Sequence, residues 1–306
     1  MRPPNRSDLA LFFAIAFGGS WGLAAACYAL GFRLGGWHTY AIGVPYMAFP
    51  MIGAIVAEKR RGAKVLQSLD VRLHLRNWWI VGIGSAFVVV ALTVLLDLAM
   101  PGIHLIHNLA EMIPPQVKIA PAKLALVKAR LAHFPVWLFL PLSMLQAVVA
   151  GVTINAVAAF GEELGWRGYL HRAFARFGFW KGSWLVGLVW GPWHWALIIQ
   201  GYNYPEHPRL GLLLMTVLTL LLAPLFAAVR VRGNSVIASA MTHGTFNAVA
   251  GYSIVFVRGG SDLTKGVTGL AGFLALALAN VALFFWMRAH PEPRAVEEPV
   301  PAPQPT

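Results

Sequence analysis

The stretch AFGEELGWRGYLHRAF, residues 159–174, sets two carboxylates side by side at the end of an apolar run, with a guanidinium one helical turn later. Adjacent helical residues point about 100° apart, so Glu162 and Glu163 cannot serve the same partner. Glu163 and Arg167 stand at i,i+4 in the favourable acid-before-base order, which reads as a bracing ion pair. Glu162 has Trp166 at i+4 and no basic partner, and it shares a face with Asn155, seven residues back. A carboxylate left without a cation at a dry boundary suits a general base.

Two further polar patches follow. WGPWHW carries Trp190 and His194 at i,i+4, and MTHGTFNAV carries His243 and Asn247 at the same spacing. Each has a plainer reading as hydrogen-bonded contact between helices, a role that Asn280 fits better than Asn247. Together they bring one candidate base, two imidazoles, one amide and one ion pair onto three apolar helices. That inventory suits water activation with oxyanion stabilisation, the needs of peptide-bond hydrolysis. The sequence has no HExxH helix, and no serine is obviously paired with these histidines. Glu162, His194 and His243 could also form a two-histidine, one-carboxylate zinc site with an open position. Spacing cannot choose, because the ligands come from three helices; the metal-free, cofactor-free site is the favoured expectation.

The elements that must hold these residues are membrane spans. Of 306 residues 58% are hydrophobic and only 12% charged, where a soluble domain carries roughly 25% charged. The expected fold is an all-α polytopic bundle of about eight spans: 9–31, 40–57, 77–100, 135–160, 183–200, 209–229, 234–257 and 267–288. Glu162 and Glu163 then fall at the inner end of the fourth. The net charge of +12 sits in short clusters between apolar runs, which argues against a nucleic-acid partner. The single cysteine, Cys27, excludes a disulfide framework.

With the N-terminus inside, 16 of the 24 Lys and Arg residues fall on the inner side, Arg167 among them. That bias predicts both termini cytoplasmic. The N-terminal apolar run is expected to be an uncleaved first helix. Segment 58–76 is expected to lie along the inner membrane surface, and part of the 102–134 loop to form a short helix on the outer side. Residues 1–290 are expected to form a single domain with its chemistry in 135–257, and 291–306 a disordered Pro-rich tail.

The motifs carry a resemblance. EELGWR resembles the EExxxR motif of the CPBP (ABI) family of intramembrane proteases, the group of the type II CAAX prenyl endopeptidases. WGPWH is similar to that family's aromatic-x-x-x-His motif, with Trp190 where Phe is common, and HGTFN to its His-x-x-x-Asn motif. The resemblance implies that Glu162 activates the attacking water with His194 assisting, that His243 and Asn247 stabilise the oxyanion, and that Glu163 and Arg167 hold the geometry, with Trp190 supporting. It implies an integral membrane protein, of a bacterial inner membrane, cutting a peptide or membrane-anchored protein near the cytoplasmic face in contact with membrane lipids. The competing classes are a non-proteolytic scaffold or bacteriocin-immunity protein, and a transporter using Glu162 as a proton relay.

The topology has a direct test. In a Cys27→Ala background, Gly62→Cys is expected to react with an impermeant maleimide only from the cytoplasmic side and Ala120→Cys only from outside. The reverse pattern inverts the whole assignment.

Overall fold

The structure, a computed structural model, describes residues 4–73, 76–113 and 120–291. The Pro-rich tail, apart from Pro291, lies outside the described residues. The chain is built from helices: α1 (Arg6–Ala29), α2 (Trp37–Arg60), α3 (Val65–Ser68), α4 (Trp78–Leu98), α5 (Pro121–Ala132), α6 (Val136–Ala150), α7 (Ala156–Glu163), α8 (His171–Phe174), α9 (Gly178–Ile198), α10 (Pro208–Gly233), α11 (Val236–Val249), α12 (Tyr252–Val255) and α13 (Leu270–Ala289). Strands β1 (His104–Leu105) and β2 (Val257–Arg258) pair antiparallel, His104 opposite Arg258, and tie two loops together at one end of the bundle.

Six helices are long and apolar enough to cross a membrane, and one of these is a continuous run from Val136 to Ile198. This run contains both the fourth and the fifth expected spans. Gly178, at φ +77°, turns the chain between them, a conformation that costs glycine little. The fourth span therefore does not stop at 160. The helix passes through the glutamates and on to Phe174, widening into π-type turns at Gly151–Asn155 and Leu164–Leu170. Such wide turns recur at functional sites. The expected seventh span is also corrected: α11 has only 14 residues, fewer than the roughly 20 that cross a bilayer. Ten of them are buried, because α11 is an inner helix enclosed by α4, α6, α7 and α10.

The helix ends are chemically marked. Asn5 and Asp8 form a capping box on α1, with Asp8 N at 2.9 Å from Asn5 Oδ1 and Asn5 N at 3.1 Å from Asp8 Oδ2. Ser235 caps α11, its Oγ accepting from Ile237 N at 3.1 Å. Within the 102–134 loop α5 forms as expected, with no buried residue.

In segment 58–76 the described residues after the end of α2 at Arg60 hold only the single helical turn α3, and ion pairs clasp the segment to the bundle. Glu58, fully buried, pairs with Arg61 at 2.8 Å and with Arg172. Arg172 also donates to Ser68 O at 2.6 Å. Asp70 pairs with Arg230, and its carbonyl accepts from Val236 N at 3.1 Å. Apolar content alone could not reveal this, because partners so far apart in sequence supply the driving force.

The motif helix approaches α2 through glycine. A Cβ on Gly161 would lie 2.6 Å from Met47 O, and one on Gly165 would lie 2.6 Å from Pro50 Cβ. The two form a small-xxx-small pair bracketing the glutamates, the pattern by which membrane helices pack closely. Gly161→Val is accordingly expected to cost at least about 1–3 kcal/mol by overpacking against backbone. Gly22→Val, where nothing lies within 4 Å, should leave the melting temperature in detergent nearly unchanged. Equal behaviour of the two would refute the close-packing account.

Candidate active site

Three helical segments converge on one buried polar knot: α7 with the wide turn after it, α9, and α11. Glu163 is fully buried and both its oxygens are filled. Oε1 accepts from Arg167 Nη1 at 2.9 Å and lies 2.9 Å from His243 Nδ1, while Oε2 accepts from Ser239 Oγ at 2.6 Å. The i,i+4 pair read from the sequence thus forms, inside the bundle. Arg167 lies with its guanidinium 4.4 Å from the Trp190 ring and 5.0 Å from the Phe226 ring, a cation–π placement that offsets part of its desolvation. It had been counted among inner-loop basic residues, and at 1% exposure it is no surface charge.

Glu162, 3% exposed, has different partners. Its Oε2 accepts from two indoles, Trp190 Nε1 at 2.6 Å and Trp166 Nε1 at 3.2 Å. Its Oε1 has no donor among the described residues, and it is not among the side-chain atoms sealed away from the surface.

The two histidines are held by the same ring nitrogen. His194 Nδ1 lies 2.9 Å from Trp190 O, and His243 Nδ1 faces the Glu163 carboxylate. A carbonyl or carboxylate only accepts, so Nδ1 carries the proton in both, and Nε2 is the nitrogen left for chemistry. Among the described residues neither Nε2 has a protein partner. The His243 ring centroid lies 5.3 Å from that of Trp190, and the His194 centroid 5.7 Å from it.

Asn247 extends the Ser239–His243 stripe by one more turn and is exposed, where Ser239 and His243 are buried. The stripe therefore runs from a sealed end to an open one. Asn155 turns to a different partner, donating to Gly244 O at 3.4 Å, so it braces α11.

Glu162 and Glu163 lie within the continuous helical run that extends to Phe174, past the end at 160 expected of the fourth span.

Ser239 is not among the residues expected from the sequence, and Trp166, expected beside Glu162, also donates to it. Ser239 had a signal, since 239, 243 and 247 follow one another at i,i+4. For a metal, the donor sets can be compared. Among the described residues, Glu206, His207 and Asp262 bring their ligand atoms within 4.8 Å of one another; Glu162, His194 and His243 do not form such a group. The former cluster has a helix-end explanation, because Asp262 Oδ2 accepts from Glu206 N at 2.8 Å and His207 N at 3.2 Å, at the start of α10.

A family model described as Type II CAAX prenyl endopeptidase Rce1-like matches residues 144–249. Over this stretch, about a third of the chain, the sequence is similar to that family. The matched segment begins in α6, ends at the last residue of α11, and carries all three motifs. No curated protein matches the chain. The similarity over this stretch and the long apolar helices together support an integral membrane protein.

The Glu163 knot predicts a stability pattern. Breaking a buried pair by removing one partner costs about 3–5 kcal/mol, so Glu163→Ala and Arg167→Ala should each unfold at markedly lower temperature in detergent. The double variant should lose less than the sum, since no orphan charge remains. Ser239→Ala, which removes one hydrogen bond to a charged group, should cost about 1.5–3 kcal/mol. Thermally silent single variants would contradict the knot.

Proposed function

We propose that this protein is an intramembrane endopeptidase that cleaves peptide bonds with water activated by Glu162, without a metal. The observation that carries the reading is the division of Glu162: one oxygen is held by two indoles while the other has no protein partner. Two histidines nearby likewise have free Nε2 atoms.

In this mechanism Glu162 Oε1 accepts a proton from water as the water oxygen attacks the scissile carbonyl carbon. His194, protonated on Nδ1, offers the Nε2 lone pair to the second water hydrogen and orients the nucleophile. His243, held by Glu163 through Nδ1, and the Asn247 amide donate to the carbonyl oxygen as it gains charge. The proton held by Glu162 then passes to the leaving nitrogen, the C–N bond breaks, and the carboxylate is restored. Glu163 and Arg167 fix the His243 ring.

The substrate is proposed to be a membrane-anchored protein or peptide. The family description, which names prenyl CAAX endopeptidases, makes a lipidated C-terminal tail the first candidate. A bacterial inner membrane with both termini cytoplasmic is the proposed setting, supported by the distribution of Lys and Arg.

Glu162→Gln keeps the shape and removes the base. In proteoliposomes, the wild type is expected to cut a quenched fluorescent prenylated CAAX peptide, and the variant to fall by about 10²–10⁴-fold with little change in melting temperature. Wild-type turnover by the variant would remove Glu162 from the role. Turnover lost to a chelator and restored by zinc would replace the metal-free mechanism with a metal-dependent one.

A further inference from the structure

We infer that Trp166 and Trp190 are positioning residues that lock Glu162 by Oε2 and thereby make Oε1 the single oxygen able to take the proton. This deepens the proposed reading of Glu162 as the base. A carboxylate in water uses its two oxygens interchangeably, and rotation about its terminal torsion is nearly free, with a broad two-fold profile. Here that freedom is removed. Two indole N–H groups, from residues on different helices, meet at one oxygen at 2.6 and 3.2 Å. The other oxygen is bare toward the protein and unsealed.

Residue type matters at both positions. Phenylalanine would fill the same space with no donor, and tyrosine would put its hydroxyl elsewhere. Indole is a donor that cannot accept, so it can hold a carboxylate without competing for the proton. Both indoles are buried, at 0% and 2% exposure, so no water competes for them.

Trp190 does more than donate. The face of its ring carries the Arg167 guanidinium at 4.4 Å, and its own carbonyl takes His194 Nδ1 at 2.9 Å. One residue therefore links the base, the bracing ion pair and the second histidine. The shorter of the two bonds also belongs to Trp190, which ranks it above Trp166.

The test reads the indoles directly and then turnover. With ¹⁵N-labelled tryptophan in detergent-solubilised full-length protein, Trp166→Phe and Trp190→Phe assign two of the twelve indole N–H signals. In Glu162→Ala those two should move upfield in the proton dimension, while the signal assigned by Trp184→Phe, an exposed position, stays in place. On the quenched prenylated peptide, Trp190→Phe is expected to lower kcat roughly tenfold to a hundredfold with KM little changed, and Trp166→Phe to lower it less. Both variants keep a ring, and retained melting temperatures separate a lost clamp from a lost fold. Indole signals unmoved in Glu162→Ala, or unaltered kcat in both phenylalanine variants, would overturn the clamp. An active Glu162→Gln with both indole signals still tied to residue 162 would instead overturn the general-base reading while leaving the clamp standing.

Discussion

A carboxylate taken out of water into an apolar bundle is tolerated only when its oxygens are filled, and Glu163 is the carboxylate on which this structure turns. Its two oxygens gather a guanidinium, an imidazole and a hydroxyl from two helices. Without Glu163 the buried Arg167 guanidinium would lose its one hydrogen-bonding side-chain partner, a cost comparable to the hydrogen bond itself. The knot therefore fixes the rotation of α11 against α7, and with it the orientation of the His243 ring. Dividing the glutamates into one worker and one brace is incomplete on this geometry, because the brace also sets which nitrogen of His243 is free.

Close approach of the helices makes such a knot possible. Side chains as short as Ser239 can reach Glu163 only if the backbones nearly touch. Gly244 on α11 meets this condition: a Cβ there would stand 2.3 Å from Gly151 O. The wide turn at Leu164–Leu170 contributes in another way, placing Trp166 and Arg167 where an indole and a guanidinium can both turn back toward the glutamates. Packing and chemistry are thus joined, since the same stretch supplies the polar groups and the backbone geometry that orients them.

At the end of the bundle carrying Glu58 and Asp70, charge is handled by pairing. Asp70 and Glu58 fasten the α2–α4 connection to Arg230 and Arg172, and Arg230 also donates to Arg167 O at 3.1 Å. A chain of polar contacts therefore runs from this rim to the residue that braces the site. Several basic residues that would pass for lipid-facing charges are instead committed to protein partners, and their removal acts on the fold as well as on the surface.

The sequence by itself determined what is local or compositional. Helical class follows from long apolar runs, and the Glu163–Arg167 pair from a spacing of four on one helix face. The Trp190–His194 and His243–Asn247 faces follow from the same period. Three motifs in order were enough to carry a resemblance to the CPBP (ABI) proteases before any coordinates. Only the tertiary structure decided how these faces meet. That Trp190 donates to Glu162, 28 residues away, and that Ser239 closes Glu163, 76 away, depends on interhelical rotation and distance, which no local periodicity encodes. Span ends were misjudged for a related reason. Hydropathy reports which residues avoid water, and a buried Glu–Arg pair avoids water too, so the helix continued where its charges had suggested a boundary.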